Sequence, residues 1–151
     1  LGEDRNVIGE KEAIRPCVGC FGCWIKTPCH CVIRDGYGDL GPVLSRCTDY
    51  ILISQVVYGG YSPFVKNVLD RNIGYILPFF TVRNGEMHHA LRYREQMRMT
   101  IIGYGEGVTE EEKRTFRSLA AANALNLNAR EHRVLFAERP EDLARYREVL
   151  A

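Results

Sequence analysis

At 151 residues the chain is one domain's worth, 46% hydrophobic and 26% charged, with a formal net charge of +1. That balance lacks the basic excess of most nucleic-acid binders, and no apolar run approaches the roughly 20 residues of a membrane span. The opening stretch, LGEDRNVIGEKEA, is polar and acidic rather than patterned as a signal peptide. It predicts a cytoplasmic protein with mostly reduced thiols.

Residues 13–15 (Ala13, Ile14, Arg15) are the one weak strand candidate before the first cysteine. Five of the six cysteines then fall within fifteen residues: Cys17, Cys20, Cys23, Cys29 and Cys31, in the run CVGCFGCWIKTPCHC. The C-x2-C-x2-C start resembles the opening of a bacterial ferredoxin run, whose two-residue gaps let successive thiolates wrap one cuboidal cluster. Zinc sites more often use two separated C-x2-C pairs, and the second pair is missing here. His30 is a further zinc candidate, although neighbours at 29, 30 and 31 cannot easily all reach one ion. Thiol–disulfide chemistry at a single C-x-x-C leaves the other cysteines unexplained. Small thiols packed in a loop are the plain structural alternative.

From Gly38 onward helix and strand alternate. Leu40, Val43, Leu44 and Cys47 recur at helical spacing. Residues 50–57 (YILISQVV) form a continuous apolar, β-branched run suited to a parallel strand buried on both faces. The loop Tyr58-Gly59-Gly60-Tyr61 follows, and Ser62-Pro63 supplies an N-cap and a first-turn proline for a helix buried along Phe64, Val65, Val68, Leu69 and Ile73. Residues 79–93 look like a hairpin or lid on an Asn84-Gly85 turn, either a substrate cover or a subunit contact. Residues 99–104 read as the next strand and Gly105-Glu106-Gly107 as its exit loop. Thr109 and Glu112 form a capping box that opens a helix to about Leu127. Residues 133–138 are the last strand, and Pro140, Glu141 and Asp142 start a final helix. The pattern predicts a single α/β domain over 1–151, with a parallel sheet covered on both sides.

Ligands of open parallel sheets bind beyond the carboxyl ends of the strands. The two glycine-rich exit loops lie there, with glycines for close backbone approach and tyrosines to cover a flat ligand. Tight turns with no ligand would look the same. His88 and His89 point to opposite faces of a strand and are poor metal partners, and His132 opens a strand alone. Asp70-Arg71 reads as a solvated or locally paired couple.

These parts together resemble the flavodoxin-like NAD(P)H-dependent FMN reductases, including the iron–sulfur flavoproteins. The matching stretches are CVGCFGCWIKTPCHCVIRD, YILISQVVYGGYSPFVKNVLDR and MTIIGYGEGVTEEEK. The resemblance implies a flavodoxin-like three-layer sandwich and a flavin-dependent oxidoreductase. In that reading NAD(P)H reduces FMN, and electrons pass to a quinone, a small acceptor or an iron–sulfur cluster. FMN would lie against Val57, Tyr58, Gly59, Gly60, Tyr104 and Gly105, with Tyr58 and Tyr104 the main side-chain contacts. A [4Fe–4S] cluster would take Cys17, Cys20 and Cys23, with Cys29 or Cys31 fourth; Cys31 holds the family's position. Lys66, Asp70 and Arg71 match the family's K-x3-D-R pattern, while Val56 stands where proline is usual. No side chain is implied as acid or base, and homodimers or homotetramers are expected. The cysteine loop is expected at the same sheet edge as the glycine loops. The family's first strand and its Ser/Thr-rich FMN-phosphate loop have no counterpart, so the sequence as given is expected to omit them. The alternative is a non-enzymatic metal-binding or electron-transfer module that uses the cysteines alone.

Overall fold

The computed structural model describes residues 5–10, 13–94 and 96–150. It begins in extended coil, and the first regular element is a single turn, α1 (Gly22–Ile25), inside the cysteine run. A second short helix, α2 (Leu40–Leu44), leads into the strand β1 (Asp49–Gln55). Ser62 caps α3 (Pro63–Arg71), its hydroxyl accepting the Val65 N–H, and a 3₁₀ turn (Asn72–Tyr75) follows. β2 (Ile76–Arg83) and β3 (Glu86–Leu91) form an antiparallel hairpin, turned at Asn84-Gly85 with both residues at positive φ. β4 (Arg98–Tyr104), α4 (Glu110–Asn126) and β5 (Glu131–Ala137) complete the βαβ rhythm. The chain ends in a 3₁₀ stretch (Pro140–Tyr146) and α5 (Arg147–Leu150).

The architecture is mixed α/β around a three-stranded parallel sheet of order β1-β4-β5. Leu52 of β1 sits beside Ile101 of β4, and Ile101 beside Val134 of β5. On this face Leu52, Met99 and Ile101 pack with Tyr61, Val65, Phe116, Ala120 and Ala124, which brings α3 and α4 onto the same side of the sheet. The Tyr61 and Phe116 rings meet edge to face at 5.1 Å. The expected capping box is present, with Thr109 and Glu112 bonding each other's backbone.

Four expectations need correction. Residues 13–15 form no strand; they run extended, and Arg15 spends its backbone groups on Asp35 and Arg71. The helix expected at 40–47 stops at Leu44, because the chain must reach the start of β1 at Asp49. The final helix opens as 3₁₀, with Asp142 N–H bonded to the Arg139 carbonyl. The strand expected to be buried on both faces is buried on one: Leu52 and Ser54 are covered, while Ile53 is 39% exposed. β1 is an edge strand whose covering helices share a single side, so its apolar run outlasts its cover. Among the described residues no helix is long and apolar enough to cross a membrane.

Candidate functional site

The structure places the candidate residues in two groups at opposite ends of the sheet. The first is the cysteine loop. Phe21, at φ 56°, turns the chain into α1, which buries Cys23, and Cys29 N–H closes the loop onto the Cys23 carbonyl at 2.9 Å. Cys31 N–H bonds the Gly38 carbonyl at 2.8 Å. All six cysteines are free thiols; Cys17 and Cys20 are exposed and Cys31 is half-buried. Burial pushes the Cys23 thiol pKa up, and negative charge on Cys31, Cys17 and Cys20 pushes it the same way.

Cys29 stands apart from them. Its φ is 74°, and its carbonyl is wedged against two glycines. A Cβ on Gly41 would lie 2.4 Å from that oxygen, and one on Gly74 2.9 Å from it. The Tyr93 hydroxyl donates to the Cys29 sulfur at 2.9 Å. Burial, and then Cys29 itself, push the Tyr93 hydroxyl pKa up. His30 is also engaged elsewhere, its Nδ1 lying 2.8 Å from Asp39.

Among the described residues no three His, Cys, Asp or Glu side chains gather closely enough to hold one metal ion. A tetrahedral zinc site with Zn–S near 2.3 Å needs sulfurs about 3.8 Å apart, so the loop does not fit a closed zinc centre. A [4Fe–4S] cluster takes one thiolate per iron and spreads its ligands more widely. The donor set of Cys17, Cys20, Cys23 and Cys31, all soft sulfur, suits that group.

Arg71 holds this loop in place. Its side chain is 0% exposed and that of its partner Asp35 is 6% exposed. Nη1 donates to Asp35 Oδ2 at 2.8 Å and to the Arg15 carbonyl at 2.8 Å. Nη2 donates to Asp35 Oδ1 at 3.0 Å and to the carbonyls of Ile33 and Tyr37, each at 3.4 Å. Arg71 and the backbone N–H groups of Arg15 and Tyr37 hold the Asp35 carboxyl well below the usual carboxylate range, against the opposing effect of burial. Sequence reasoning treated Asp70-Arg71 as a local couple. The structure separates them: Asp70 pairs on the surface with Lys66 at 2.6 Å, one turn back. Asp35 and Arg71 lie 36 residues apart, and no local signal joins them.

The aromatic surroundings were also missed. The Trp24 indole N–H is held by the Ile76 and Ile73 carbonyls at 2.9 and 3.2 Å. Phe21 stacks on Trp24 with centroids 5.3 Å apart, and the His89 ring lies tilted against those of Trp24 and Phe80 at 5.0 and 4.9 Å. His88 and His89 share no site: His89 Nδ1 meets the Leu77 carbonyl, and His88 lies near Glu86 and Asn126.

The second group is the pair of glycine loops. Val57 and Gly60 exchange backbone hydrogen bonds at 3.0 and 2.8 Å around Tyr58 and Gly59, whose φ values are 49° and 76°. Two successive left-handed residues make a type I′ turn. It throws Tyr58 outward, 94% exposed, while Gly59 rests on Thr115 of α4. From the neighbouring strand, the Tyr104 carbonyl accepts Val56 N–H at 2.8 Å, and Gly105 N–H bonds the Ala137 carbonyl at 3.2 Å. Val57, Tyr58, Gly59, Gly60, Tyr104 and Gly105 thus lie together at the carboxyl ends of β1 and β4. An aromatic face in water beside a tight glycine turn suits a flat ring system. Among the described residues, no Ser/Thr-rich loop for a phosphate stands at this edge.

The cysteine loop does not share this edge, contrary to expectation. α3 runs back from Ser62, which bonds Ser54 near the end of β1, to Asn72, which bonds Tyr50 at its start. Arg71, Gly74 and the loop they hold are therefore at the amino ends of the strands. Seven residues of β1, at about 3.3 Å each, put roughly 20 Å between the two groups.

A comparison with protein-family models and with curated proteins finds no match for the chain.

Proposed function

We propose that the protein is a flavin-dependent oxidoreductase on a flavodoxin-like scaffold, using NAD(P)H to reduce FMN and passing the electrons to a quinone or another small acceptor. The observation that carries this reading is the meeting of two glycine-rich exit loops from neighbouring parallel strands, with Tyr58 94% exposed beside them. Bound FMN supplies the hydride and electron chemistry. The chain's own residues bind and orient it: Tyr58 covers the ring, the backbone of Val57, Gly59 and Gly60 lines its edge, and Tyr104 and Gly105 support it from the next strand. No side chain is needed as acid or base. The acceptor arrives from solvent at the carboxyl end, because the cysteine loop lies about 20 Å away along β1. Phe79, Phe80, Val82 and Met87 stand 65–71% exposed on the hairpin. They are the apolar surface that a homodimer or homotetramer contact would cover.

The cysteine loop supports a second reading, a metal-binding or electron-transfer module holding a [4Fe–4S] cluster on Cys17, Cys20, Cys23 and Cys31. The loop's all-sulfur donor set favours it. Anaerobic purification followed by FMN titration, with iron, sulfide and zinc analysis of the same sample, separates the two. A protein that stays colourless and leaves FMN fluorescence unquenched refutes the flavin reading. Iron and sulfide without flavin leaves the module alone.

A further inference from the structure

β5 is an outer strand of the parallel sheet, and the backbone groups of its residues point alternately toward β4 and away from it. The Ala137 carbonyl accepts the Gly105 N–H at the end of β4. Residues 131, 133, 135 and 137 therefore face β4, and His132, Val134 and Phe136 face outward. The Phe136 carbonyl is taken by the Tyr146 hydroxyl at 2.6 Å and by Arg145, so the terminal 3₁₀ stretch closes that end of the edge. The N–H and C=O groups of His132 and Val134 have no partner among the described residues. Beside them opens a cleft of about 420 Å³, lined by Arg117, Ser118 and Ala121 of α4 and by His132, Arg133 and Val134 of β5. Two arginines flank it, each anchored at one point. The Arg117 guanidinium lies 4.9 Å from the centre of the Phe136 ring, on the α4 side of the sheet. Arg133 Nε donates to Thr100 Oγ1 at 2.9 Å on the opposite side, since Thr100 alternates with the core residues Met99 and Ile101. Among the described residues neither Nη fork has a hydrogen-bond or ion-pair partner. No carboxylate lines the cleft, and the Glu110 carboxylate, further along α4, is bonded to Lys113.

We propose that this edge is a docking site for an extended acidic segment of a partner protein, which adds to β5 as a short strand. The segment's backbone exchanges hydrogen bonds with His132 and Val134. Its successive side chains fall on opposite faces of the sheet. Of two neighbouring acidic residues, one therefore meets the Arg117 fork and the other the Arg133 fork. Each fork matches a carboxylate through parallel N–H donors. The unpaired backbone supplies attachment, and the two cations select against basic segments. The occupied Phe136 carbonyl limits the added strand to the first part of β5. No residue of the glycine loops or the cysteine loop takes part, so the docking stands whether or not flavin or a cluster binds.

The test titrates the full chain into a fluorescein-labelled peptide, Thr-Val-Glu-Glu-Val-Thr, read by fluorescence anisotropy, with hydrogen exchange at the His132 and Val134 amides followed by NMR. The peptide should bind and slow exchange at both amides. Replacing its two glutamates by lysines should abolish binding. Arg117→Gln and Arg133→Gln should each weaken it about fivefold, the upper end for an exposed ion pair, while Lys66→Gln leaves it unchanged. Both arginines are exposed, so the variants keep the fold. A peptide N-methylated at every second residue, in either frame, keeps its charges but loses backbone donors, and one of the two frames should fail to bind. Equal binding of both N-methylated peptides shows an anion contact without strand addition and overturns the inference. Equal binding of the lysine peptide, or binding untouched by both arginine substitutions, does the same. So does a wild-type chain that binds no peptide. A chain that sediments as a dimer, broken by the two arginine substitutions, puts a second copy on the edge and overturns it as well.

Discussion

Asp35→Asn removes one charge from the buried pair while keeping the side chain's size. In the wild type the Asp35 carboxylate accepts from both Arg71 Nη atoms, at 2.8 and 3.0 Å, and from Arg15 and Tyr37 N–H at 2.9 and 3.2 Å. The amide can satisfy some of these donors but not the charge, so Arg71 is left buried and uncompensated. Breaking such a pair from one side costs about 3–5 kcal/mol. That is a large part of the roughly 5–15 kcal/mol by which domains are stable. Urea unfolding followed by the fluorescence of the single tryptophan, Trp24, would measure it, since that ring is anchored beside the loop. The pH dependence provides a second check. The folded-state pKa of Asp35 is lowered from its ordinary 3.8, so its stabilising effect is complete above that value and is lost as pH falls below it. The stability gap between wild type and variant should be constant from pH 7 to 5 and shrink below about pH 4. A gap under about 1 kcal/mol at pH 7, or one that persists undiminished at pH 3, would refute this account of how the loop is held.

Gly41→Ala sets a methyl 2.4 Å from the Cys29 carbonyl, and the resulting backbone shift should cost about 1–3 kcal/mol in thermal unfolding. Tyr58→Ala should leave the urea midpoint unchanged, because the ring is exposed, yet weaken FMN binding about tenfold in a fluorescence titration, as the loss of one aromatic stack implies. Cys17→Ala combined with Cys20→Ala, both at exposed positions, should abolish iron uptake measured by metal analysis while leaving FMN affinity intact.

The regular elements were legible because each is signalled locally. Ser62-Pro63, Thr109 with Glu112, and Asn84-Gly85 each specify a cap or turn within four residues, and each forms as expected. The glycine loops were legible for the same reason, as they follow apolar strands directly. The cysteine loop's surroundings were not. Asp35 reaches Arg71 across 36 residues and Tyr93 reaches Cys29 across 64, contacts set by how the loop folds back over α3. Spacing alone left Cys29 and Cys31 as equal rivals for a fourth ligand position. What distinguishes them is backbone conformation and the neighbouring glycines, which turn Cys29 inward toward Tyr93, while Cys31 stays half-buried with its N–H on the Gly38 carbonyl.

The positions of the two groups also limit what either can do. Both were expected at one edge because a loop that follows a parallel strand emerges at its carboxyl end. Residues 13–15 form no such strand, so nothing carries the cysteine run to that edge. It is fastened instead to the far end of α3, and the direction of α3 places it at the amino ends of β1 and β4. A flavin at Tyr58 and a cluster at Cys23 would then be separated by the length of the sheet, each with its own exposed approach: Tyr58 at one end, Cys17 and Cys20 at the other. In the proposed flavin reading, electron delivery at one end would not depend on the thiols at the other. What holds the cysteine loop where it is, at the far end from Tyr58, is the buried Arg71–Asp35 pair.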